Sequence, residues 1–462
     1  MFWDTIKHFY ARLGAIPKVS FAFLGCGLAR AWLWWILSLV SYSEAFPSYT
    51  GSQGHLLFDL GEVIGFFLLS FLAYRFSPFF KRSPAAVLAL ALTLFGGFGT
   101  VFAVGSPVVG VYAAFLIIGG GVGYALLFLL WLELYGCLTA RNMLIAWTGS
   151  YFIALAIWGL HQVTEAGAIE AIMCLLPLMS MFMLFKGFYS LPAASLPAKM
   201  SHKPSIPWKL IIVLSAFALA FGIGDAATGQ NMFTWISKVG MGIPELLVLL
   251  CVLFFSKRFS FRYLVTVASL FIVAGLIGAF FVEGQAVPSF VLMNASSEIY
   301  LIMVYAIACI MGHQLGSSAV YLAGLFAGLY KVFLQIGKTL GLVVVEQVHN
   351  TAISVPVLAL IMVLVTIAAT IILVQDRSIV DKFSWKEQSV DPKNASCAKI
   401  TEEHRLTPKE ASVLLLLAKG QDTAQIAEEL FLAQSTVRVH TSSIYKKLDI
   451  HSRKELDKLL NG

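Results

Sequence analysis

Tyr189–Pro207 reads "YSLPAASLPAKMSHKPSIP". It is the longest polar break between the apolar runs of this chain, and its position sets the architecture. Crossing a bilayer core of about 30 Å takes roughly 20 helical residues. Six runs of that length precede the break, near 19–40, 55–76, 84–104, 107–134, 142–163 and 167–186. Six follow it, near 207–227, 234–256, 261–282, 292–312, 323–347 and 352–375. The stretch after His313 is long enough to hold an amphipathic turn before the eleventh run. The predicted fold class is all-α, with a polytopic membrane domain of about twelve helices arranged six plus six. Composition agrees: 59% of the residues are hydrophobic and 12% charged, with a mean hydropathy of +0.83. Soluble domains hold about 25% charged residues.

Lys and Arg orient the spans, because cytoplasmic loops carry the excess. Lys7, Arg12 and Lys18 precede the first span, and the second-to-third loop has Arg75, Lys81 and Arg82. Arg141 follows the fourth span. The sixth-to-seventh loop has Lys186, Lys199, Lys203 and Lys209, and the eighth-to-ninth has Lys257, Arg258 and Arg262. The alternate loops carry Glu44, Glu165, Asp225, Glu283 and Glu346, with Lys238 as their only basic residue. An even number of spans with both termini in the cytoplasm fits this alternation. The N-terminus lacks a signal-peptide cleavage pattern and is expected to remain in the mature protein.

Six plus six spans around a long central loop resemble the major facilitator superfamily over about residues 1–375. One loop departs from it. The second-to-third connection, "YRFSPFFKRSP" (Tyr74–Pro84), is basic but lacks the Asp and glycines usual there, which argues against transport. From Gln375 the sequence turns polar, mixed in charge and without a sustained period, so 376–405 is expected to be a cytoplasmic linker. Thirty such residues span roughly 30 Å as a flexible chain. Six cysteines are scattered, without a CxxC or a Cys/His cluster, so no metal and no disulfide framework is expected.

Residues 406–462 hold three helix starts of one kind. Thr407 with Pro408 and Glu410 reads as an N-cap, a first-turn proline and a capping-box acid. Asp422 with Gln425 and Ser452 with Glu455 repeat the logic, and Gly420 is a helix stop. Between them lies "QSTVRVHTSSIYKKL" (Gln434–Leu448), joined by Phe431–Ala433 to the helix before it. A helix, a turn of three or four residues and a second helix make a helix-turn-helix unit. On a helical wheel Val437, Thr441, Ile444 and Leu448 share the packing side. Ser435, Arg438, Val439, Ser442 and Lys446 share another, which suits the acceptors, phosphates and thymine methyls of a major groove.

"LTPKEASVLLLLAKG" (Leu406–Gly420) and "IAEELFLAQSTVRVHTSSIYKKLDIHSR" (Ile426–Arg453) resemble the LuxR-type (GerE) helix-turn-helix domain over about 55 residues. The resemblance implies that Arg438, Val439 and Ser442 face the bases. It places Thr423, Ser435, Thr436, His440 and Lys446 near phosphates. The fourth helix, Arg453–Leu460, would be the dimer contact, with half-sites about one helical turn apart. The family usually has Ser where this chain has Ala433, so the recognition helix lacks its side-chain cap, and Ser435 would take that role one turn later. Ser442 stands where many members have Lys, so their DNA preference does not carry over. Residues 434–458 hold six basic and three acidic side chains, a balance of +3, while 399–433 hold four and six. One monomer would therefore touch few phosphates, and salt-sensitive binding would need a homodimer.

Ionisable residues within spans default to functional candidates. Arg30 in span one and Glu62 in span two lie at similar depths and are expected to pair, as a structural bridge or as a ligand contact. Asp59 lies one turn from Glu62. Lys331, Gln335 and Lys338 share one face of span eleven, where Lys331 would snorkel and Lys338 would reach a cavity. Arg30, Asp59, Glu62 and Lys338 are thus the ligand-site candidates. Glu133 is expected to pair with Arg141, and His161 and Glu170 to lie at the outer surface. Trp and Tyr residues are expected to pack, to form interface belts or, in one or two cases, to line an aromatic pocket. Gly119 and Gly123 form a GxxxG that allows close helix approach.

No nucleotide-binding loop, Ser/His/Asp grouping, kinase or receiver pattern occurs, so no enzymatic activity and no cofactor is expected. The chain reads as a bacterial plasma-membrane transcription regulator. Residues 1–375 would sense a small molecule or a membrane condition among lipid, 376–405 would link, and 406–462 would bind double-stranded promoter DNA. The alternative is a secondary transporter with a regulatory DNA-binding tail. A third reading has the tail binding only protein.

Overall fold

The computed structural model describes residues 20–41, 51–103, 110–164, 168–191, 196–197, 208–229, 235–254, 261–314, 318–347, 354–375, 396–397, 400–401, 403–404, 406–418, 420–430 and 432–461. Lys7, Arg12, Lys18, Lys199, Lys203, Lys257 and Arg258 from the charge alternation lie outside them, as do Glu44, Glu165, most of 189–207, linker residues 376–395 and Phe431. Two compact units result: Met1–Gly187 with Lys199–Ser384, and Phe188–Ala198 with Trp385–Gly462.

Among the described residues the larger unit holds twelve α-helices. The first six are α1 (Cys26–Ser41), α2 (Gly51–Phe76), α3 (Ser83–Ala103), α4 (Gly110–Tyr135), α5 (Ala140–Val163) and α6 (Ala168–Ser190). The second six are α7 (Trp208–Thr228), α8 (Trp235–Phe254), α9 (Phe261–Phe281), α10 (Ala286–Gln314), α11 (Ala319–Gln347) and α12 (Ser354–Gln375). Among the described residues eleven are long and apolar enough to cross a membrane, and a shorter apolar stretch, Ala359–Ile372, lies in α12. The chain is a multi-pass membrane protein. Helix α10 runs to Gln314 and α11 starts at Ala319, and residues 315–317, where the turn after His313 is expected, lie outside the described residues. Helix α10 also starts six residues earlier than the apolar pattern implied, with Pro288 in its first turn, where its missing N–H costs nothing.

Exposure is inverted relative to a water-soluble protein. Phe71, Phe102, Phe115 and Phe182 point outward, while Arg30, Asp59, Glu62 and Glu245 are buried. Lipid supplies no hydrogen bonds, so the charges turn inward to find partners. Trp32, Trp35, Trp131, Trp147 and Trp158 are fully buried, so these five pack inside the bundle instead of forming interface belts.

Helices α2 and α4 touch backbone to backbone. A Cβ on Gly61 would strike the Ile118 carbonyl, and one on Gly121 would strike the Phe58 carbonyl. Gly222 in α7 and Gly337 in α11 meet in the same way in the second half. Of the expected GxxxG pair, Gly123 faces the α3 backbone at Thr93, whereas Gly119 has only a distant leucine methyl before it. Gly121→Val is expected to destabilise the membrane unit by about 3 kcal/mol, the upper range for overpacking. Size-exclusion of the solubilised full chain should show its monodisperse peak lost, with Gly119→Ala unchanged.

The smaller unit contains α13 (Pro408–Ala418), α14 (Thr423–Leu430), α15 (Gln434–Leu448) and α16 (Arg453–Asn461). Val413, Leu414, Ile426, Val437, Ile444 and Leu456 are fully buried at its centre.

Candidate functional site

The three helix starts read from the sequence have the expected bonds. Thr407 N donates to Glu410 Oε2 at 2.7 Å and Glu410 N to Thr407 Oγ1 at 3.4 Å. Asp422 N donates to Gln425 Oε1 while Asp422 Oδ1 accepts from Ala424 N and Gln425 N. Ser452 Oγ accepts from Glu455 N, and the Glu455 carboxylate accepts from His451 N and Ser452 Oγ, bonds that hold it below its ordinary range. Gly420 has φ +88°, a left-handed stop that suits glycine.

Helix α15 spans the residues expected of the recognition helix. Val437, Ile444 and Leu448 are buried, and Thr441 turns its hydroxyl to the Val437 carbonyl. Val439 is 66% exposed, and Ser435, Arg438, Ser442 and Lys446 are exposed too. Thr436, His440 and Thr423 are half-buried. Thr423, Arg438, Ser442 and Lys446 line one open groove of about 540 Å³, together with Tyr445.

Glu410 does more than cap. Only 4% exposed, it accepts from Ser443 Oγ at 2.6 Å and Lys447 Nζ at 2.7 Å, tying α13 to α15. Burial opposes its charge, but the bonds from Lys447, Ser443 and Thr407 outweigh that and hold its carboxyl down at about 2. Arg453, one of the six basic residues of 434–458, donates from Nη2 to the Leu417 carbonyl at 2.9 Å and closes the end of α13.

Ala433 is the N-cap of α15, with extended φ −68° and ψ 145° and no side-chain bond; its carbonyl accepts from Thr436 N and Val437 N. Ala433→Ser is expected to stabilise the domain by about 1 kcal/mol, the usual worth of such a cap. Urea unfolding of residues 400–462 measures this, and an unchanged midpoint would refute it.

In the membrane unit the charged candidates gather around one cavity of about 190 Å³. Arg30, Glu62 and Lys338 reach its wall, and Asp59 stands behind. The expected Arg30–Glu62 pair does not form. Arg30 Nη1 bonds Glu245 Oε1 at 3.1 Å, and its guanidinium lies 4.0 Å over the Trp147 ring. Glu62 Oε2 instead meets Lys331 Nζ at 2.6 Å. The reason lies in the bundle: α1 packs mainly on α5, whereas α2 packs mainly on α4 and α11. Although consecutive, α1 and α2 are not each other's main neighbours.

Lys331 therefore does not snorkel. It also donates to Asp59 Oδ1 at 2.8 Å, and Asp59 accepts from Gln335 and pairs with His55 Nδ1 at 3.0 Å. Lys338 pairs with Asp225 at 3.2 Å, so Asp225 belongs to the bundle rather than to an outer loop. Glu133 leaves Arg141 and accepts from Phe79 N and Phe80 N, both at 2.8 Å, where a short 3-10 helix presents its donors. Glu170 bonds the buried Trp35 indole at 2.6 Å and His161 at 3.3 Å, which makes it a bracket between helices more than a surface group.

Three charged residues at this site escaped the sequence reading. Lys238, taken for a loop charge, is buried with its ammonium 4.5 Å from the Trp34 ring and 5.8 Å from Trp158. Glu245 follows Pro244 inside α8, and Glu298 lies inside α10 at the cavity wall. Each is an ionisable residue within a span, so the rule that singled out Arg30 and Glu62 would have found them too. Trp34, Tyr124, Phe128, Trp147 and Tyr151 form the aromatic wall.

Residues 404–459 match the family described as bacterial regulatory proteins, luxR family. The C-terminal domain is a LuxR-type helix-turn-helix domain, a DNA-binding module of transcription regulators. Over 83 residues the chain is 36% identical to the uncharacterized response regulatory protein YgeK of Escherichia coli K12, covering 17% of this chain and 56% of that one. Over 52 residues it is 40% identical to the nitrate/nitrite response regulator protein NarL of the same strain, covering 11% and 24%. The chain thus spans about half the length of the first relative and a quarter of the second. The membrane unit resembles the major facilitator superfamily proton:xylose symporter XylE in its structure bound to 6-bromo-6-deoxy-D-glucose. The TM-score is 0.54, with 13% identity, over 76% of this chain and 93% of that one. That likeness is one of fold: a major-facilitator-like bundle.

Proposed function

We propose that the chain is a one-component, membrane-embedded transcription regulator. Residues 1–375 act as the sensor, 376–405 as the linker and 406–462 as the reader of promoter DNA. Both termini lie in the cytoplasm of a bacterial cell, and two tails pair through α16 when they bind DNA. One observation carries the reading: a LuxR-type domain shares a chain with a membrane bundle whose interior holds a charged, aromatic-walled cavity. Base contacts come from the exposed side of α15, through Arg438, Val439 and Ser442. Thr423, Ser435, Thr436, His440 and Lys446 hold phosphates. Arg30, Asp59, Glu62 and Lys338 serve the ligand end, joined there by Lys238, Glu245, Glu298 and Lys331.

Footprinting with the isolated residues 400–462 tests the DNA half, and no protected sequence would refute it. A second reading, a transporter with a regulatory tail, is favoured by the bundle's likeness to a symporter. Substrate flux into proteoliposomes made with the full chain would establish it.

A further inference from the structure

The charges around the membrane cavity are unevenly placed. Arg30, Lys238, Lys331 and Lys338 reach its wall, against the carboxylates of Glu62 and Glu298. The other acids that answer these cations, Asp59, Glu245 and Asp225, stand outside the lining. The lining thus carries four cations and two acids, while the whole cluster, with the three acids behind, holds five acids to four cations.

Two of these cations also join the two six-helix halves. Arg30 in α1 holds Glu245 in α8, and Lys331 in α11 holds Asp59 and Glu62 in α2. A carboxylate entering the cavity accepts from the groups that now bridge the halves. The space, about 190 Å³, is smaller than the roughly 300–1,000 Å³ of sites for drug-sized ligands. It suits a body of about one ring, flanked by Trp34, Phe128 and Tyr151.

We propose that this cavity takes a small organic carboxylate, whose charged end competes with Glu245 and Glu62 for Arg30 and Lys331. The proposal rests on the sensor reading of the membrane unit and names the ligand class for it. Because the guest uses the bridging cations, its binding favours whichever arrangement of the halves has given up the Arg30–Glu245 and Lys331–Glu62 bridges. A ligand shifts an equilibrium only by such a difference in affinity between states.

The test uses the full chain in lipid nanodiscs, with thermal unfolding as the readout. The probes are benzoate, phenylacetate and 3-phenylpropionate, each beside its uncharged amide and the matching primary amine. At least one carboxylate should raise the midpoint at concentrations up to about 10 mM, while its amide and amine do not. Glu245→Gln removes a competitor and should tighten that carboxylate about tenfold, whereas Lys331→Met should weaken it at least about tenfold. An amide or amine as effective as its acid would overturn the proposal. So would silence from all three acids, or a weaker affinity in Glu245→Gln. If Lys331→Met fails to fold, the acid-against-amide comparison and Glu245→Gln decide alone. Footprinting of the same preparation keeps the regulator reading separate: DNA protection without carboxylate binding sinks only the ligand class.

Discussion

Replacing Arg438 and Val439 by alanine should leave the C-terminal domain folded and remove its specific hold on DNA. Both side chains lie on the exposed side of α15, and neither belongs to the buried cluster that closes the domain. Surface substitutions of this kind change stability by about 0.5 kcal/mol or less. An Arg making a bidentate contact to guanine contributes about 1–3 kcal/mol of discrimination, and an apolar contact to a thymine methyl adds to it. The double variant should therefore lose roughly 100-fold in affinity for a site selected from random DNA by the wild-type domain. Binding to unrelated DNA should fall far less. Lys446→Ala provides the contrast: with Lys446 in its proposed place at a phosphate, the variant should weaken all sequences alike and lower the salt slope by about one. Fluorescence anisotropy at two salt concentrations reads both effects, and unchanged discrimination in the double variant would remove α15 from the role of reader.

The second large effect concerns Glu410. Its carboxyl is held at about 2 in the folded domain, below the ordinary value of about 4.3 for an unfolded chain. A group whose folded value is depressed adds stability above its unfolded value and loses that stability as pH falls through the folded one. The C-terminal domain should therefore lose stability from about pH 5 down to about pH 2, by about 2 kcal/mol from this group. That figure is below the full equivalent of the shift, because the Lys447 side chain is 35% exposed and solvent screens the pair. Glu410→Gln keeps an oxygen for Thr407 N but lacks the charge, so its stability should be flatter across this range. Glu410→Ala also loses the capping box, worth about 1 kcal/mol, and should be the least stable at pH 7. Urea midpoints of residues 400–462 between pH 2 and 7 check the set, and parallel curves for wild type and Glu410→Gln would refute the assignment.

The C-terminal domain was legible because its signals are local. A capping box closes within four residues, so Thr407 and Glu410, Asp422 and Gln425, and Ser452 and Glu455 announce their bonds in the sequence. The packing side of α15 was legible for the same reason, since a helix repeats every three or four residues. The second role of Glu410 was not, because Ser443 and Lys447 lie 33 and 37 residues away.

For the membrane part, the chain by itself determined the number and order of the helices, since the bilayer sets how many apolar residues each must have, but not their ends: α10 starts six residues before its apolar run. It also singled out Arg30, Asp59, Glu62 and Lys338 as charges within spans, because lipid offers them no partner, but not Lys331, expected to snorkel, or Lys238 and Asp225, expected in loops. Which charge meets which was decided only by the tertiary structure. Arg30 and Glu245 are 215 residues apart, and Asp59 and Lys331 are 272. Their meeting depends on which helices become neighbours. Small residues such as Gly61, Gly121, Gly222 and Gly337 permit the backbones to touch and so help settle that arrangement. Periodicity along one helix carries no information about the partner across the bundle, and so the cavity and its charged wall exist only in the folded protein.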